Sequence, residues 1–549
     1  MRRPRSLPLR ALVVALVALL SSACGNAPAP PPTPGPTRAA SAAPDWWNGA
    51  VVYEVFVRSF RDSDGDGAGD LAGLLEKLDY LNDGDPATDS DLGVDAIWLM
   101  PIYPSPSTHG YDVTSYDAVN PTYGTLADLD RLVAACHARG IKVVLDWIPN
   151  HTSDAHPWFV DATSSPAAAH RDWYVWRSPN PGWTQPFGSG PAWFPGGGAW
   201  YYAAFWEHMP DLNWRNPAVA AEQSAAAIRW LGHGVDGFRL DAVRYLVENG
   251  PGPGQEDQPE TRAALKAFAD AVRAVRPDAL LVGEAWADTA TIAPYLGTPT
   301  AALPGGDALP LLFDFPLADA IVNGVSAGDA RPIATALDAV ARAYPAGTGD
   351  APFLTNHDQV RVATRLSADP ARLGLAAAIL LTLQGTPFLY YGEELGLLNG
   401  DCADDACKRT PMSWDATATG GFTSGTPWWP LAPRGPTTSV AAQTGDPGSL
   451  LSRYRRLIRV RKASEALRRG GTERLAAASP GLLALVRALP GERVLVVHNL
   501  GIDTVRERLA VTAGAATPLL ADPGAAIAPS PEGAEVTLPA RATAIWRLE

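Results

Sequence analysis

From Ala50 to about Val460, the chain alternates short β-rich runs with amphipathic helical runs. This alternation is typical of a parallel sheet, because parallel neighbours need a helical crossover between them. Eight candidate strands with intervening helices predict an α/β fold, a closed (β/α)8 TIM barrel. The candidate strands are Val51–Val57, Val94–Met100, Ile141–Asp146, Gly237–Asp241, Leu280–Glu284, Leu311–Phe315, Phe353–His357 and Phe388–Tyr391.

Two parts of the chain depart from this alternation. Residues 151–217 have no clear helical period, and a connection of that length predicts an inserted lobe after the third strand. Beyond residue 464, short β runs between Pro and Gly turns predict a C-terminal antiparallel β-sandwich. The predicted boundaries are 1–23 (signal peptide), 24–44 (tether), 45–150 and 218–464 (barrel), 151–217 (lobe) and 465–549 (sandwich).

The N-terminus is typical of an export signal. Several arginines precede the apolar run Ala11–Leu20, which is too short to span a membrane. The small residues before Cys24 resemble a bacterial lipobox, which implies lipidation of that cysteine, with ordinary signal cleavage nearby as the alternative. We therefore expect an exported protein that is lipid-anchored to the cell envelope or extracellular, with Pro28–Thr37 as an extended tether.

Charge and cysteine content narrow the function classes. A net charge of −14 argues against the broad cationic surface that nucleic-acid binding needs. Cys402 and Cys407 lie five residues apart in an Asp-rich loop, and an exported protein favours a disulfide between them. Cys136, in a helical stretch, is predicted to be a buried free thiol.

Carboxylates follow four of the candidate strands, at the end where TIM-barrel sites form. They are Asp146, Asp241, Glu284 and Asp358. Any one alone is more simply a helix N-cap, but four at equivalent strand ends predict one acidic cluster. Such crowding shifts carboxyl pKa values and suits acid–base chemistry.

The segments around these carboxylates carry a family resemblance from about Asp45 to the C-terminus. They resemble the signature regions of the α-amylase family of retaining glycoside hydrolases, and the MPDLN form of one segment resembles its intermediate α-amylase group. The matching segments are Asp146–His151, Gly237–Asp241, Gly283–Trp286, Asn356–Asp358, His109–Asp112, Met209–Asn213 and Arg409–Met412.

Retaining hydrolysis needs a nucleophilic carboxylate about 5–5.5 Å from a second carboxyl that starts protonated. Arg239, two residues before Asp241 on one strand, should keep that carboxylate ionised as the nucleophile. Glu284 has apolar neighbours and less evident charge compensation, so it fits the general acid. The resemblance makes the same assignment, and it implies that Asp358 binds sugar hydroxyls and favours the distorted ring.

The resemblance also implies the remaining sugar contacts and the substrate. The expected activity is endo-hydrolysis of α-1,4-glucosidic bonds in starch and maltodextrins by a monomer. The alternatives are an oligo-1,6-glucosidase-like, neopullulanase-like or trehalose-forming relative, and, more distantly, a non-catalytic carbohydrate-binding barrel. The implied substrate-binding residues are His109, Tyr111, His151, Arg239, His357 and Arg409.

An acidic, Gly-rich turn predicts a first calcium site, because hard oxygen donors at alternate positions can wrap this ion. Gly73 stands where an EF-hand would need Glu, so an EF-hand is excluded. The turn resembles the first-loop calcium site of oligo-1,6-glucosidase-like amylases, and a solvated acidic turn is the simpler alternative. The predicted ligands are Asp62, Asp64, Asp66, the Ala68 carbonyl and Asp70. The resemblance implies a second calcium ion at Asn150, Asp211 and the Tyr245 carbonyl.

Overall fold

The computed structural model describes residues 33–40, 46–303, 305–401, 405–433, 435 and 437–549. The predicted signal peptide, Cys24, the first part of the tether and Cys402 lie outside these residues. Among the helices that are described, none combines the length and the apolar character needed to cross a bilayer.

The β-strands of the described chain number eighteen, and most are short. In chain order they are β1 (Val52–Val55), β2 (Ala96–Leu99), β3 (Lys142–Trp147), β4 (Trp176–Arg177), β5 (Trp193–Gly196), β6 (Ala199–Tyr202), β7 (Gly237–Leu240), β8 (Leu280–Gly283), β9 (Leu311–Leu312), β10 (Phe388–Tyr390), β11 (Gly471–Arg474), β12 (Leu482–Leu489), β13 (Glu492–Asn499), β14 (Val505–Leu509), β15 (Ala516–Ala521), β16 (Ala526–Ser530), β17 (Gly533–Leu538) and β18 (Thr543–Leu548).

Several of the α-helices begin at recognisable caps. Thr125 and Asp128 form a capping box at the start of the fourth helix, and Asn216 caps the sixth, which begins with Pro217. In chain order the helices are α1 (Val57–Phe60), α2 (Leu71–Glu76), α3 (Leu78–Leu81), α4 (Leu126–Ala138), α5 (Pro157–Ser164), α6 (Pro217–Gly232), α7 (Pro259–Val275), α8 (Thr289–Ile292), α9 (Phe315–Ala327), α10 (Arg331–Ala343), α11 (Val362–Arg365), α12 (Pro370–Thr382), α13 (Val440–Gln443), α14 (Leu450–Lys462) and α15 (Glu465–Arg469).

Seven strands form one parallel sheet in the order β10-β1-β2-β3-β7-β8-β9. The ring closes through isolated parallel bridges from Phe313 to Ala351 and from Phe353 to Phe388. The predicted seventh strand is therefore reduced to bridge contacts, and His357 and Asp358 lie in the turn that follows. The TIM-barrel prediction is confirmed.

The two departures from the barrel pattern fold as antiparallel structure. Between β3 and β7 the chain contributes α5 and a small sheet in the order β4-β6-β5. The C-terminal part forms two sheets, β11-β12-β13-β18-β15 and β14-β17-β16. Side chains from both of these sheets, including Val486, Val536 and Trp546, share one apolar core. The prediction of a C-terminal antiparallel domain is confirmed.

Residues 34–40 pack against the fold. The backbones of Arg38 and Thr472 exchange two hydrogen bonds of 2.8 Å at the edge of β11. The Arg38 guanidinium lies 3.4 Å from the buried Asp350 carboxylate and donates to the carbonyls of Thr348 and Gly349. The buried Asp350 carboxylate thereby gains a cation, which favours this packing.

Two cysteines lie within the described residues. Cys136 is a free thiol in the buried face of α4, as predicted, and burial raises its pKa to about 12. Cys407 is buried and disulfide-bonded.

Candidate active site

The carboxyl ends of the barrel strands surround a cavity of about 540 Å³. Three of the four predicted carboxylates, Asp241, Glu284 and Asp358, line this cavity. The remaining lining residues are Phe56, Thr108, His109, Tyr111, His151, Phe205, Met209, Asp405, Ala406, Arg409 and Trp428.

Strand register brings Asp241 and Glu284 side by side. Leu240, the last residue of β7, is paired with Gly283, the last residue of β8. Asp241 and Glu284 each follow directly, and the Glu284 N–H donates to the Leu240 carbonyl over 2.9 Å. Two carboxyl groups from neighbouring strand ends therefore share one wall of the cavity.

Arg239 is fully buried beneath this wall and holds three carboxylates. Its Nη1 nitrogen lies 2.8 Å from Asp146 Oδ1 and 2.7 Å from Asp241 Oδ1. Its Nη2 nitrogen lies 3.0 Å from Glu284 Oε2. Arg239 therefore compensates the charge of Glu284 as well as that of Asp241, because one guanidinium reaches across to the neighbouring strand.

Burial shifts the pKa values of this pair upward. It raises the pKa of Asp241 to about 6, although the Arg239 charge opposes the shift. It raises the pKa of Glu284 to about 7, again against Arg239, and the charge of Asp241 adds to the rise. Burial therefore outweighs the charge of Arg239 at Asp241, and the pKa of Asp241 remains the lower of the pair.

The pKa of Asp358 is shifted downward, unlike the pKa values of Asp241 and Glu284. Burial acts to raise its pKa, but the neighbouring His357 and Arg409 cations hold the pKa well below its ordinary value. Its Oδ1 atom accepts a hydrogen bond from Arg409 over 2.9 Å, and its Oδ2 atom lies 3.1 Å from His357 Nε2. The second nitrogen of His357, Nδ1, lies 2.6 Å from Glu54 Oε1. Asp358 therefore faces the cavity as an ionised hydrogen-bond acceptor.

Tyr111 and His151 supply polar atoms on another wall. Tyr111 Oη lies 2.9 Å from Asp146 Oδ2 and 2.7 Å from His357 Nε2, and its ring stacks on that of His357. His109 stacks on Tyr111 with ring centroids 6.1 Å apart. Burial lowers the pKa of His151 to about 4, and its Nε2 atom has no hydrogen-bond partner in the structure. A neutral, unpartnered imidazole nitrogen at a cavity wall is suited to a ligand hydroxyl.

The predicted sugar contacts divide into two layers. His109, Tyr111, His151 and Arg409 line the cavity. Arg239 and His357 have no exposed surface and lie beneath it, where they contact the carboxylates and Tyr111.

Several residues of the site escaped the sequence analysis. Glu54 lies one residue before the carboxyl end of β1, but the predicted strand runs on to Val57 and places Glu54 in its middle. Phe205 and Trp428 line the cavity from the inserted lobe and from the chain after Phe422. These segments have no periodic pattern that would place them here.

Three of the four predicted calcium-binding carboxylates converge. Oxygen atoms of Asp62, Asp64 and Asp70 lie within 4.8 Å of one another, which fits a cation with oxygen ligands. The Asp66 carboxylate is outside this cluster and accepts a hydrogen bond from the Ala68 N–H over 2.8 Å. Asp70 also caps α2 by accepting from Gly73 N.

The second predicted metal site consists of a buried pair. Asn150 Nδ2 donates to Asp211 Oδ2 over 2.9 Å, and the Asn150 Oδ1 atom is buried without a hydrogen-bond partner. Burial raises the pKa of Asp211 well above its ordinary value. An orphaned oxygen beside a buried carboxyl fits a cation. The ring of Tyr245 packs against Phe187 and Phe205.

Comparisons with known proteins agree with this geometry. Residues 54–470 match the family model of the α-amylase catalytic domain. α-Amylase 3 of Dictyoglomus thermophilum is 38% identical over 462 residues, which cover 83% of this chain and 85% of that protein. Trehalose synthase of Pimelobacter sp. is 36% identical over 515 residues, which cover 83% of this chain and 87% of that protein. The crystal structure of the α-amylase from H. orenii, 38% identical, superimposes with a TM-score of 0.82 over 91% of this chain and all of that one. The chain belongs to the α-amylase family of glycoside hydrolases.

Proposed function

We propose that this protein is a retaining endo-hydrolase of α-1,4-glucosidic bonds in starch and maltodextrins. The observation that carries the proposal is the contact of Asp241 and Glu284 with two nitrogens of the same guanidinium, Arg239, at 2.7 and 3.0 Å. Two carboxyl groups that share one guanidinium and one cavity suit double displacement, and the higher pKa of Glu284 favours it as the acid. The relatives named α-amylase support the α-1,4 bond as the substrate.

In the first step, Asp241 attacks the anomeric carbon while Glu284 gives its proton to the leaving glycosidic oxygen. The glycosidic bond breaks as a covalent glucosyl ester of Asp241 forms. In the second step, the Glu284 carboxylate takes a proton from water, the water oxygen bonds to the anomeric carbon, and Asp241 leaves. The product retains the configuration of the substrate.

The remaining polar groups hold the sugar. Asp358, ionised and exposed to the cavity, accepts hydrogen bonds from two sugar hydroxyls and favours the distorted ring. His151 Nε2 binds another hydroxyl, since this buried atom has no partner in the protein. Arg239 and His357 act from below by fixing the carboxylates.

Calcium and export complete the proposal. Asp62, Asp64 and Asp70 hold one calcium ion that tightens the loop before α2, and the Asn150–Asp211 pair holds a second. A lipid anchor at Cys24 suits an enzyme whose polymeric substrate cannot enter the cell.

The test combines product analysis with two isosteric variants. Incubated with soluble starch, the enzyme should release short maltodextrins whose new reducing ends are initially α-configured in proton NMR spectra. Asp241→Asn and Glu284→Gln should fold normally and lose at least about a thousandfold in kcat. Near-normal turnover in Asp241→Asn, or products that are initially β-configured, would refute the mechanism.

One alternative activity has support in the comparisons. The relative named trehalose synthase is nearly as similar as the α-amylases, and the same carboxylate pair serves transfer to a sugar hydroxyl as well as to water. Maltose as sole substrate separates the two, because a trehalose-forming enzyme converts it to a non-reducing disaccharide. Trehalose from maltose, without maltodextrins from starch, would replace the main proposal.

A further inference from the structure

His357 lies between two buried carboxylates at the bottom of the candidate site. Its Nδ1 atom lies 2.6 Å from Glu54 Oε1, and the two side chains are 0% and 2% exposed. Its Nε2 atom lies 3.1 Å from Asp358 Oδ2. An ionised carboxylate can only accept a hydrogen bond, so Nδ1, which is hydrogen-bonded to Glu54, must carry a proton, and the nearby charge of Asp358 favours a second proton on Nε2.

Tyr111 gives an independent reason for the proton on Nε2. Its hydroxyl group lies 2.9 Å from Asp146 Oδ2 and 2.7 Å from His357 Nε2. A phenol has one proton, and when it donates that proton to the Asp146 carboxylate, its oxygen must accept from the imidazole. The two rings are stacked at an interplanar angle of 13°, so the contact also fixes the orientation of Tyr111.

We propose that Glu54 is a positioning residue of the active site, which keeps a second proton on His357 so that the resulting cation holds Asp358 ionised and Tyr111 in place. The inference rests on the proposed function, in which Asp358 binds the reacting sugar. Glu54 touches neither the cavity nor the substrate, and it acts through His357 alone. A carboxylate that fixes the protonation and orientation of a histidine is a recurrent device in enzymes.

The other charged groups around His357 do not replace Glu54. Asp358 from the same turn and Asp146 from β3 favour the cation, but both lie on the Nε2 side. Arg409 donates to the His357 carbonyl, and Arg239 lies over the ring of Trp98, whose edge packs on His357. These two cations oppose a charge on His357.

The net effect of burial and of the nearby charges on the pKa of His357 agrees with two protonated ring nitrogens. Burial lowers the pKa of His357, but the charges of Asp358 and Glu54 dominate and raise it to about 9. Glu393 is another acidic group near Glu54. Burial raises the pKa of Glu393, and the charge of Glu54 raises it further. Glu393 carries a carboxyl group and supplies no cation near His357 Nδ1.

The decisive variant is Glu54→Gln, which keeps the size of the side chain and an oxygen that accepts from Nδ1–H but removes the charge. The pH profile of kcat/KM on a maltodextrin is the readout. In the parent enzyme the alkaline limb reports the loss of one proton, that of the coupled Asp241–Glu284 pair, so it should fall about tenfold per pH unit. In Glu54→Gln, His357 should lose its second proton in the same pH range. The alkaline limb of the kcat/KM profile should therefore move to lower pH, and its slope should approach a hundredfold per pH unit.

Glu393→Gln is the matched control. Glu393 is also fully buried, accepts hydrogen bonds from Tyr454 Oη and Tyr390 N, and burial raises its pKa to about 8. Because it carries little charge near pH 7, its amide should leave the profile unchanged.

Two outcomes would overturn the proposal. One is a Glu54→Gln profile that coincides with the parent profile, and the other is an equal loss of activity at every pH, which indicates a purely structural role. Asp241→Asn separates this result from the proposed function, because an active Asp241→Asn enzyme refutes the function whatever Glu54→Gln does.

Discussion

The backbone N–H of Ala242 donates a hydrogen bond of 3.0 Å to Oε2 of Glu284. Ala242 directly follows Asp241, and its φ of 51° lies in the left-handed region that alanine rarely adopts. A strained turn thus joins the proposed nucleophile to the proposed acid. Strain of this kind persists only where the surrounding structure enforces it.

This turn can be tested by substitution at Ala242. Glycine adopts positive φ without strain, so Ala242→Gly should keep the turn and most of the activity. A β-branched side chain is disfavoured there, so Ala242→Val should lower stability by about 1–3 kcal/mol and reduce kcat at least tenfold. Thermal unfolding and starch hydrolysis measure both effects. A valine variant with normal kcat would show that the turn does not set the position of Glu284.

The pH optimum should be narrow. Hydrolysis needs Asp241 ionised, which requires a pH above its pKa of about 6. It also needs Glu284 protonated, which requires a pH below its pKa of about 7. A plot of kcat/KM against pH should therefore be bell-shaped with its maximum between these values, and the two limbs belong to the coupled pair. A flat profile from pH 5 to pH 9 would contradict the assignment.

Calcium should stabilise the protein through Asp64 more than through Asp66. Both carboxylates accept one local backbone N–H, at 3.0 and 2.8 Å, but only Asp64 belongs to the convergent cluster. Calcium at a hundred times its Kd would add about 2.7 kcal/mol to the stability of the parent protein. Asp64→Ala should abolish most of the rise in Tm, whereas Asp66→Ala should keep it. Identical melting curves in calcium and in chelator would eliminate the site.

Loss of the Arg38 guanidinium should destabilise the fold in a pH-dependent way. Burial raises the pKa of Asp350 to about 6 although Arg38 opposes the shift, so this carboxyl is charged at pH 8 and mostly neutral at pH 5. Arg38→Met should therefore lower the free energy of unfolding by roughly 3 kcal/mol at pH 8 and by less at pH 5. Denaturant titrations at both pH values measure this.

The control for Arg38 is Arg331→Met, which removes an exposed arginine paired with Asp329. It should change stability by less than about 1 kcal/mol at either pH. Equal losses at pH 5 and pH 8 for Arg38→Met would mean that packing, and not the ion pair, accounts for the effect.

The barrel and its acidic cluster could be predicted from sequence because parallel strands bring their carboxyl ends to one edge. Asp241, Glu284 and Asp358 each follow a predicted strand, and all three line the cavity. The contact of Arg239 with Glu284 could not be predicted in this way. It depends on the register of β7 against β8, which a single sequence does not reveal.

The site residues that come from loops could not be predicted from the sequence for a related reason. Phe205 and Trp428 come from segments without helical or strand period, and their positions follow from tertiary packing. The contact of Arg38 with Asp350 could not be predicted either, because a Pro-rich composition indicates the stiffness of a segment and not the partner of a side chain that follows it.

The docked segment also determines how the protein responds to mechanical load. A pull on the chain upstream of residue 33 would be carried first by the paired backbones of Arg38 and Thr472 and by the Arg38–Asp350 contact. These contacts would have to break before the chain itself passed the load on to β1. An attachment upstream of residue 33 would therefore load the edge of β11 and the stretch around Asp350 before it loaded the first barrel strand.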